Sequence, residues 1–290
     1  MTSIKSWGSL VKFSHTVFSL PFAFIGFGLG FLEFSNQFNW SSLIYMVLCV
    51  IFARNAAMAF NRFADFKIDA KNERTKNREI PANIISPSKA MAFVLINTLL
   101  FIITTYLINP LALYLSPIAL FVIIIYSASK RFTWLCHFIL GLGLSIAPIG
   151  AYIVLSGKFA IAPLLLSGAV LLWVGGFDIL YALQDEEFDR AEKLHSIPQQ
   201  FGRKKALIIS AICHFGSIIF LVFFGFNHES TWIYWTGLAV FTAILTWEHL
   251  IVKPSDISRV NIAFATLNAS ASVIFALFTL IDMFSFYLFG

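Results

Sequence analysis

The chain has 290 residues, 59% of them hydrophobic and only 12% charged, with a formal net charge of +5. An ordinary soluble domain carries roughly a quarter of its residues as charged side chains, so that class is excluded. Apolar runs of the roughly 20 residues that cross a bilayer recur from end to end, leaving no room for a separate soluble domain, and residues 1–290 read as one membrane domain.

In chain order, apolar runs between polar breaks predict helices near 13–33, 41–66, 89–108, 110–127, 132–155, 159–183, 205–226, 231–252 and 258–287. The runs are too long for barrel strands and lack their two-residue alternation. The expected fold is therefore an all-α bundle of about nine transmembrane helices. Lys5 and Lys12 precede the run Val17–Leu32, which no small-residue cleavage site follows, so it reads as a retained first span and not a removed leader. Spans two and six lead into long polar loops, near 67–88 and 184–204, that carry eight of the 15 acidic residues. Long polar loops on a membrane bundle are functional candidates.

Nine spans also sort the charges. Seventeen of the 20 Lys and Arg fall at the N-terminus or in and beside the loops near 67–88, 128–131, 184–204 and 253–259, whereas the opposite side holds Lys158 alone. The positive-inside rule then places the N-terminus and basic loops in the cytoplasm of a multi-pass protein of the plasma (inner) membrane. The charge thus marks topology, with membrane lipid as a partner and no nucleic acid expected. Arg203, Lys204 and Lys205 in particular read as topology signal or anionic-lipid contacts.

The chemistry-bearing residues lie at the cytoplasmic ends of spans two and six. Asn61, Asp65 and Asp69 are spaced by four and share one helical face, about 6 Å apart. An amide and two carboxylates in a row offer oxygen ligands to a hard divalent cation, and Mg²⁺ commonly takes one or two carboxylates and completes its shell with water and substrate phosphates. Tyr181, Asp185 and Asp189 repeat the spacing, and Asp65 and Asp69 map onto Asp185 and Asp189 with a uniform offset of 120 residues. That offset suggests two related four-helix halves plus a ninth helix. Asp178 stands deeper, in an apolar segment where an unpaired carboxylate costs several kcal/mol, so it needs an arginine, a metal or a substrate group as partner. Two facing carboxylate ladders repel unless cations lie between them. Lys130 and Arg78 are the candidates for binding a diphosphate.

Three blocks make the sequence resemble the UbiA superfamily of intramembrane aromatic prenyltransferases: RNAAMAFNRFADFKIDAKNERTKNREIP (54–81), YSASKRFT (126–133), and the stretch from Asp178 to Gly202 with its Tyr-x₃-Asp-x₃-Asp and Ser-Ile-Pro-x₂-Phe-Gly. Their order and spacing extend the likeness over essentially the whole chain. The resemblance implies Mg²⁺ as cofactor, held with diphosphate by Asn61, Asp65, Asp69, Asp185 and Asp189. It implies diphosphate contacts from Arg78, Tyr126 and Lys130, and an aromatic-acceptor pocket near Arg54, Asp178 and Tyr181. The implied reaction transfers a polyprenyl chain from polyprenyl diphosphate to a ring carbon of an aromatic acid, in quinone synthesis.

One residue departs from the family pattern: Arg62 stands where many members have Asp. Together with Lys12-Phe13-Ser14-His15-Thr16, it resembles a bacterial branch labelled 4-hydroxybenzoate polyprenyltransferase. Part of that branch is linked to menaquinone made through futalosine, so 1,4-dihydroxy-6-naphthoate is the alternative acceptor. A transporter or lipid carrier using the acids as an ion relay is the alternative of another class, although such acids belong near the midplane. His15 lies beside the first span as a buried, hydrogen-bonded residue or a site contact. His137, His195, His214, His228 and His249 form no helical pair suited to a metal. Cys49, Cys136 and Cys213 read as packing residues. Trp173, Trp235 and Trp247 read as packing or interface residues.

Overall fold

A computed structural model of the protein describes residues 4–12, 18–34 and 39–289. Among them there is no β-strand. The elements are α1 (Ile4–Leu10), α2 (Leu20–Glu33), α3 (Trp40–Asp69), α4 (Pro87–Ile108), α5 (Pro110–Ser129), α6 (Cys136–Ser156), α7 (Ile161–Ala182), α8 (Glu186–Ala191), α9 (Ile197–Asn227), α10 (Trp232–Ile251) and α11 (Asn268–Phe289). A three-residue 3₁₀ turn (Leu183–Asp185) joins α7 to α8, and a π-helix (Ile262–Leu267) runs into α11.

Several helix starts follow directly from local chemistry. The first four N–H groups of a helix lack internal partners, and a Ser, Thr or Asn side chain just before the helix supplies one. Asn39 accepts from the Ser41 N–H and Asn109 from that of Ala112. Ser86 and Ser196 accept from Lys89 and Gln199 in the same way, each beside a proline in the first turn, where its missing N–H costs nothing. At its other end α6 stops at Gly157, whose φ of 62° is the left-handed geometry that glycine adopts without strain.

Seven helical stretches are long and apolar enough to cross a membrane: α3, α4, α5, α6, α7 with its extension, α9, and the π-helix with α11. Their outward faces are apolar. On α9, Ile208, Ile212, Phe215, Ile219 and Phe223 recur every three or four residues and all are exposed, a stripe that only lipid covers without cost. This is a multi-pass membrane protein. Of the expected spans, α2 is a shorter apolar helix of 14 residues. The expected first span near 13–33 corresponds to α2, α1 lies ahead of it, and residues 13–17, with His15, lie outside the described residues. The span expected at 205 begins eight residues earlier, at Ile197, and bends where Gly202 takes φ 76°.

The largest buried cluster is built on Trp173 of α7, with Phe22, Phe177, Tyr234, Phe241 and Phe275 from α2, α7, α10 and α11. Trp173 also donates its indole N–H to Asn268 Oδ1 at 2.7 Å, while Trp247 is exposed on α10. Helices α2 and α6 meet without side chains between them: a Cβ on Gly26 would lie 2.0 Å from the Pro148 carbonyl oxygen. On its other face α6 meets α7 at Gly141, where a Cβ would lie 2.3 Å from the Leu171 carbonyl oxygen. This tight α2–α6–α7 packing forms a solid wall, and the space between α3, α5, α6 and α7 stays open.

Candidate active site

That space is a cavity of about 810 Å³, and every site residue expected from the sequence lines it. Its polar end gathers the ends of α3, α5 and α7 with the loop after α3. Its other end runs between apolar side chains such as Val50, Phe101, Ile108, Ile146, Ile153 and Phe159.

The first ladder forms as the spacing predicts, on the last two turns of α3. Asn61 Nδ2 donates to Asp65 Oδ2 at 3.2 Å, and Asp69 closes the helix, buried to 7% exposure. The second ladder is not one continuous helix. The 3₁₀ turn separates Tyr181 from Asp189, yet Asp185 and Asp189 both remain buried at the cavity rim.

Each of the four aspartates has a cation of its own. Arg131 Nη2 donates to Asp65 at 2.9 Å, and Arg78 Nη1 to both oxygens of Asp69 at 2.7 and 2.8 Å. Lys130 Nζ reaches Asp189 at 3.2 Å, and Arg74 grips Asp185 through Nε and Nη2. Burial pulls the Lys130 ammonium down, but the surrounding negative charge, Asp189 foremost with Asp185 and Asp178, outweighs it and holds Lys130 above the usual lysine range. Arg74 is likewise raised, burial being outweighed by the hydrogen bonds and charge of Asp185 taken together with Tyr181 and Asp69. The cations that two facing carboxylate ladders require are thus supplied by the protein, and the eight charges cancel.

The loop after α3 delivers two of them. Asn72 turns it by accepting the Arg74 N–H at 2.9 Å, and its own amide reaches Asp185 at 3.2 Å. Arg74 also donates to the Tyr181 hydroxyl at 2.8 Å, so it ties the first motif's loop to two residues of the second. At the end of α5, the Lys130 carbonyl accepts the His195 N–H at 2.6 Å, binding that corner to the loop after α8.

Deeper in, Asp178 Oδ2 lies 2.7 Å from His137 Nδ1. Its partner within the protein is a histidine and not an arginine, because α6 packs His137 directly against α7. Arg54 donates to the Lys12 carbonyl at 3.1 Å, but Arg54 Nε and Arg62 Nε are buried with no hydrogen-bond partner among the described residues. Tyr126 lines the wall between these groups and Lys130, and Tyr181 stacks on Phe264 of the π-helix, with centroids 4.1 Å apart.

Sequence reasoning did not assign Arg74, Arg131, Asn72 or His137 to the site. The Arg-Thr-x-Asn-Arg and Lys-Arg runs carried the signal for the arginines. Arg203 is corrected in part: it pairs with Glu186 at 2.8 Å and is committed to protein contacts, not to lipid alone.

Among the described residues no three His, Cys, Asp or Glu converge closely enough to hold a metal unaided. Hard oxygen donors in sets of one or two are what Mg²⁺ takes when substrate phosphates complete its shell, and Asn61 with the four aspartates fits that pattern. Because the eight charges already cancel, an incoming diphosphate would add uncompensated negative charge, which a divalent cation offsets.

Comparison with known proteins places this geometry. The chain is 28% identical over 275 residues to a 4-hydroxybenzoate octaprenyltransferase of Aliivibrio fischeri (strain MJ11), covering 95% of this chain and 96% of that protein. Its fold superposes on the apo structure of a UbiA homolog from Aeropyrum pernix K1 with TM-score 0.84 and 31% identity, covering 93% and 98% of the two chains. A UbiA homolog from Archaeoglobus fulgidus bound to DMAPP and Mg²⁺ shares the fold at TM-score 0.64 and 19% identity, over 94% and 99%. The model of the UbiA prenyltransferase family matches residues 19–279, and the chain belongs to that family of prenyl-transferring enzymes.

Proposed function

We propose that the protein is a Mg²⁺-dependent aromatic prenyltransferase of respiratory quinone synthesis, moving a polyprenyl chain from polyprenyl diphosphate to a ring carbon of 4-hydroxybenzoate. The observation that carries this reading is the single cavity with four aspartates and four cations at one end and an apolar channel at the other. Such a site accepts a charged head and a lipid tail at once. The name of the Aliivibrio fischeri relative and the ligands of the Archaeoglobus fulgidus neighbour support the same reading.

The protein's own part begins with partner exchange. Arg74, Arg78, Lys130 and Arg131 release their carboxylates and turn toward diphosphate oxygens, with Tyr126 beside them. When bound by Asn61, Asp65, Asp69, Asp185 and Asp189, Mg²⁺ supplies further neutralisation of charge on the leaving diphosphate. Donors fixed in advance where charge develops stabilise a transition state strongly. The allylic C1–O bond breaks with its electron pair on the diphosphate. The ring carbon, held within about 3–3.5 Å, bonds to C1 and then loses its proton. Arg54 and Arg62 keep buried guanidinium nitrogens free for the acceptor's carboxylate, and aromatic walls such as Phe177 and Tyr181 shield the cationic carbon from water.

In this reading α2 and α10 join the seven long apolar stretches as spans of the plasma (inner) membrane, nine in all, with the aspartate end cytoplasmic by the charge rule. The alternative acceptor, 1,4-dihydroxy-6-naphthoate, is favoured by Arg62 and the Lys12–Thr16 block. The acids gather at one end of the cavity, so nothing favours an ion relay.

The test is prenyl transfer by membranes holding the protein, Mg²⁺ and a polyprenyl diphosphate, with each acceptor offered separately and an Asp65→Ala control. Benzoate product that chelation abolishes and Mg²⁺ restores is the expected result. Product from the naphthoate alone moves the enzyme to menaquinone synthesis, and product from neither refutes an aromatic acceptor.

A further inference from the structure

We propose that His137 is a positioning residue that holds Asp178 as a fixed acceptor for the hydroxyl group of the aromatic substrate, and so sets preference for hydroxylated rings. This rests on the aromatic-acceptor reading above. His137 is fully buried on α6. Its Nε2 accepts the backbone N–H of Ile197 at 3.2 Å. That N–H belongs to the first residue of α9 and is one of the groups a helix cannot satisfy internally, and the positive end of the helix also disfavours a proton on the nitrogen facing it. The ring hydrogen is therefore on Nδ1, where it is donated to Asp178 Oδ2 at 2.7 Å. The direction of both bonds is fixed by a backbone donor that cannot reverse.

Asp178 is thereby held by one oxygen only. No hydrogen bond among the described residues ends on Oδ1, and Asp178 lines the cavity with its side chain 13% exposed. Seven residues of mostly helical chain separate it from Asp185, roughly 10 Å at 1.5 Å per residue. It stands below the diphosphate end, at the depth where a ring bonded to C1 would lie. A carboxylate with one oxygen tied and the other facing the substrate is an acceptor for O–H.

The same arrangement gives the hydroxyl proton a destination. As the ring carbon bonds to C1 and the C1–O pair leaves on the diphosphate, the hydroxyl proton passes to Asp178. The resulting dienone tautomerises to the phenol by moving its ring proton to oxygen, and Asp178 passes its proton to the departing diphosphate. One C–O bond is exchanged for one C–C bond, and one proton leaves with the diphosphate. His137 takes no part in this except to keep Oδ1 aimed.

The experiment compares wild type, His137→Leu and His137→Asn in nanodiscs, with a polyprenyl diphosphate and Mg²⁺. The readouts are KM for each substrate, kcat, and competition by benzoate, which lacks the hydroxyl. Removing the histidine hydrogen bond is expected to weaken the preference for 4-hydroxybenzoate over benzoate by about 30-fold, the range for a hydrogen bond to a charged group. KM for the diphosphate should stay within threefold. His137→Asn restores a side-chain N–H toward Asp178 and is expected to recover most of the preference, which a merely structural histidine would not require. An unchanged preference in His137→Leu overturns the proposal. Should the leucine variant fail to fold, an asparagine variant that keeps the diphosphate KM but not the preference overturns it equally. A wild type that prenylates no aromatic acid overturns both this inference and the reading on which it rests, whereas normal transfer with an unchanged preference overturns this inference alone.

Discussion

Arg74→Ala separates the two motifs at the point where the protein joins them. Arg74 donates Nε and Nη2 to Asp185 and Nη1 to Tyr181, and after truncation Asp185 retains only the Asn72 amide at 3.2 Å. Breaking a fully buried pair costs about 3–5 kcal/mol and an exposed one about 0–1. With Arg74 32% and Asp185 10% exposed, an intermediate cost of about 2–3 kcal/mol follows. That energy resists opening of the loop after α3, so its removal multiplies the open population by about 30- to 150-fold, at 1.4 kcal/mol per decade. Hydrogen–deuterium exchange in nanodiscs reads this directly. Backbone amides bonded within the loop, such as Thr75, Arg78 and Ala82, should exchange faster by that factor while those in the middle of α9 stay unchanged. Loop amides that exchange within threefold of wild type would refute the idea that Arg74 ties the motifs together.

Asp65→Ala and Asp185→Ala should each lower kcat by about a hundredfold or more, as loss of one charge-stabilising group does, with the protein still monodisperse. Normal turnover in either would remove that aspartate from the site. Arg54→Leu should raise KM for the aromatic acid about tenfold or more while leaving that for the diphosphate alone, since a charge-assisted hydrogen bond is worth about 1.5–3 kcal/mol. Equal shifts in both would refute its assignment to the acceptor. Gly26→Ala would place a methyl 2.0 Å from the Pro148 oxygen. Overpacking of that kind costs about 1–3 kcal/mol, so its melting temperature in detergent should fall. Gly150→Ala, whose Cβ would meet nothing nearer than 4.0 Å, should not lower it.

The aspartate ladders were legible because charge is rare in this chain, and a four-residue spacing on a helix places side chains on one face whatever surrounds it. The same rarity exposed the two long loops. The pairings were not legible. Arg74 is one of several basic residues in its loop, and its partner is 111 residues away. His137 and Asp178 are single polar residues on consecutive apolar helices, and only the packing of α6 on α7 brings them together. The need of a buried carboxylate for a partner pointed to a missing group without naming it. Hydropathy also passed over Ser196-Ile197-Pro198, a capping signature that starts α9 ahead of its apolar run. It was equally blind to the π-helix, whose composition matches that of an α-helix.

That π-helix sets one wall of the cavity, since it carries the Phe264 that stacks on Tyr181. A π-turn amounts to one residue inserted into an α-helix. Deleting a single residue between 262 and 267 would restore the ordinary winding and swing the preceding turn by about 100°, the angle between successive residues in an α-helix. Phe264 would leave Tyr181, yet no side chain of either motif would change. Evolution and engineering can therefore reshape this wall in one step through chain length, where substitution can only resize the ring already standing there.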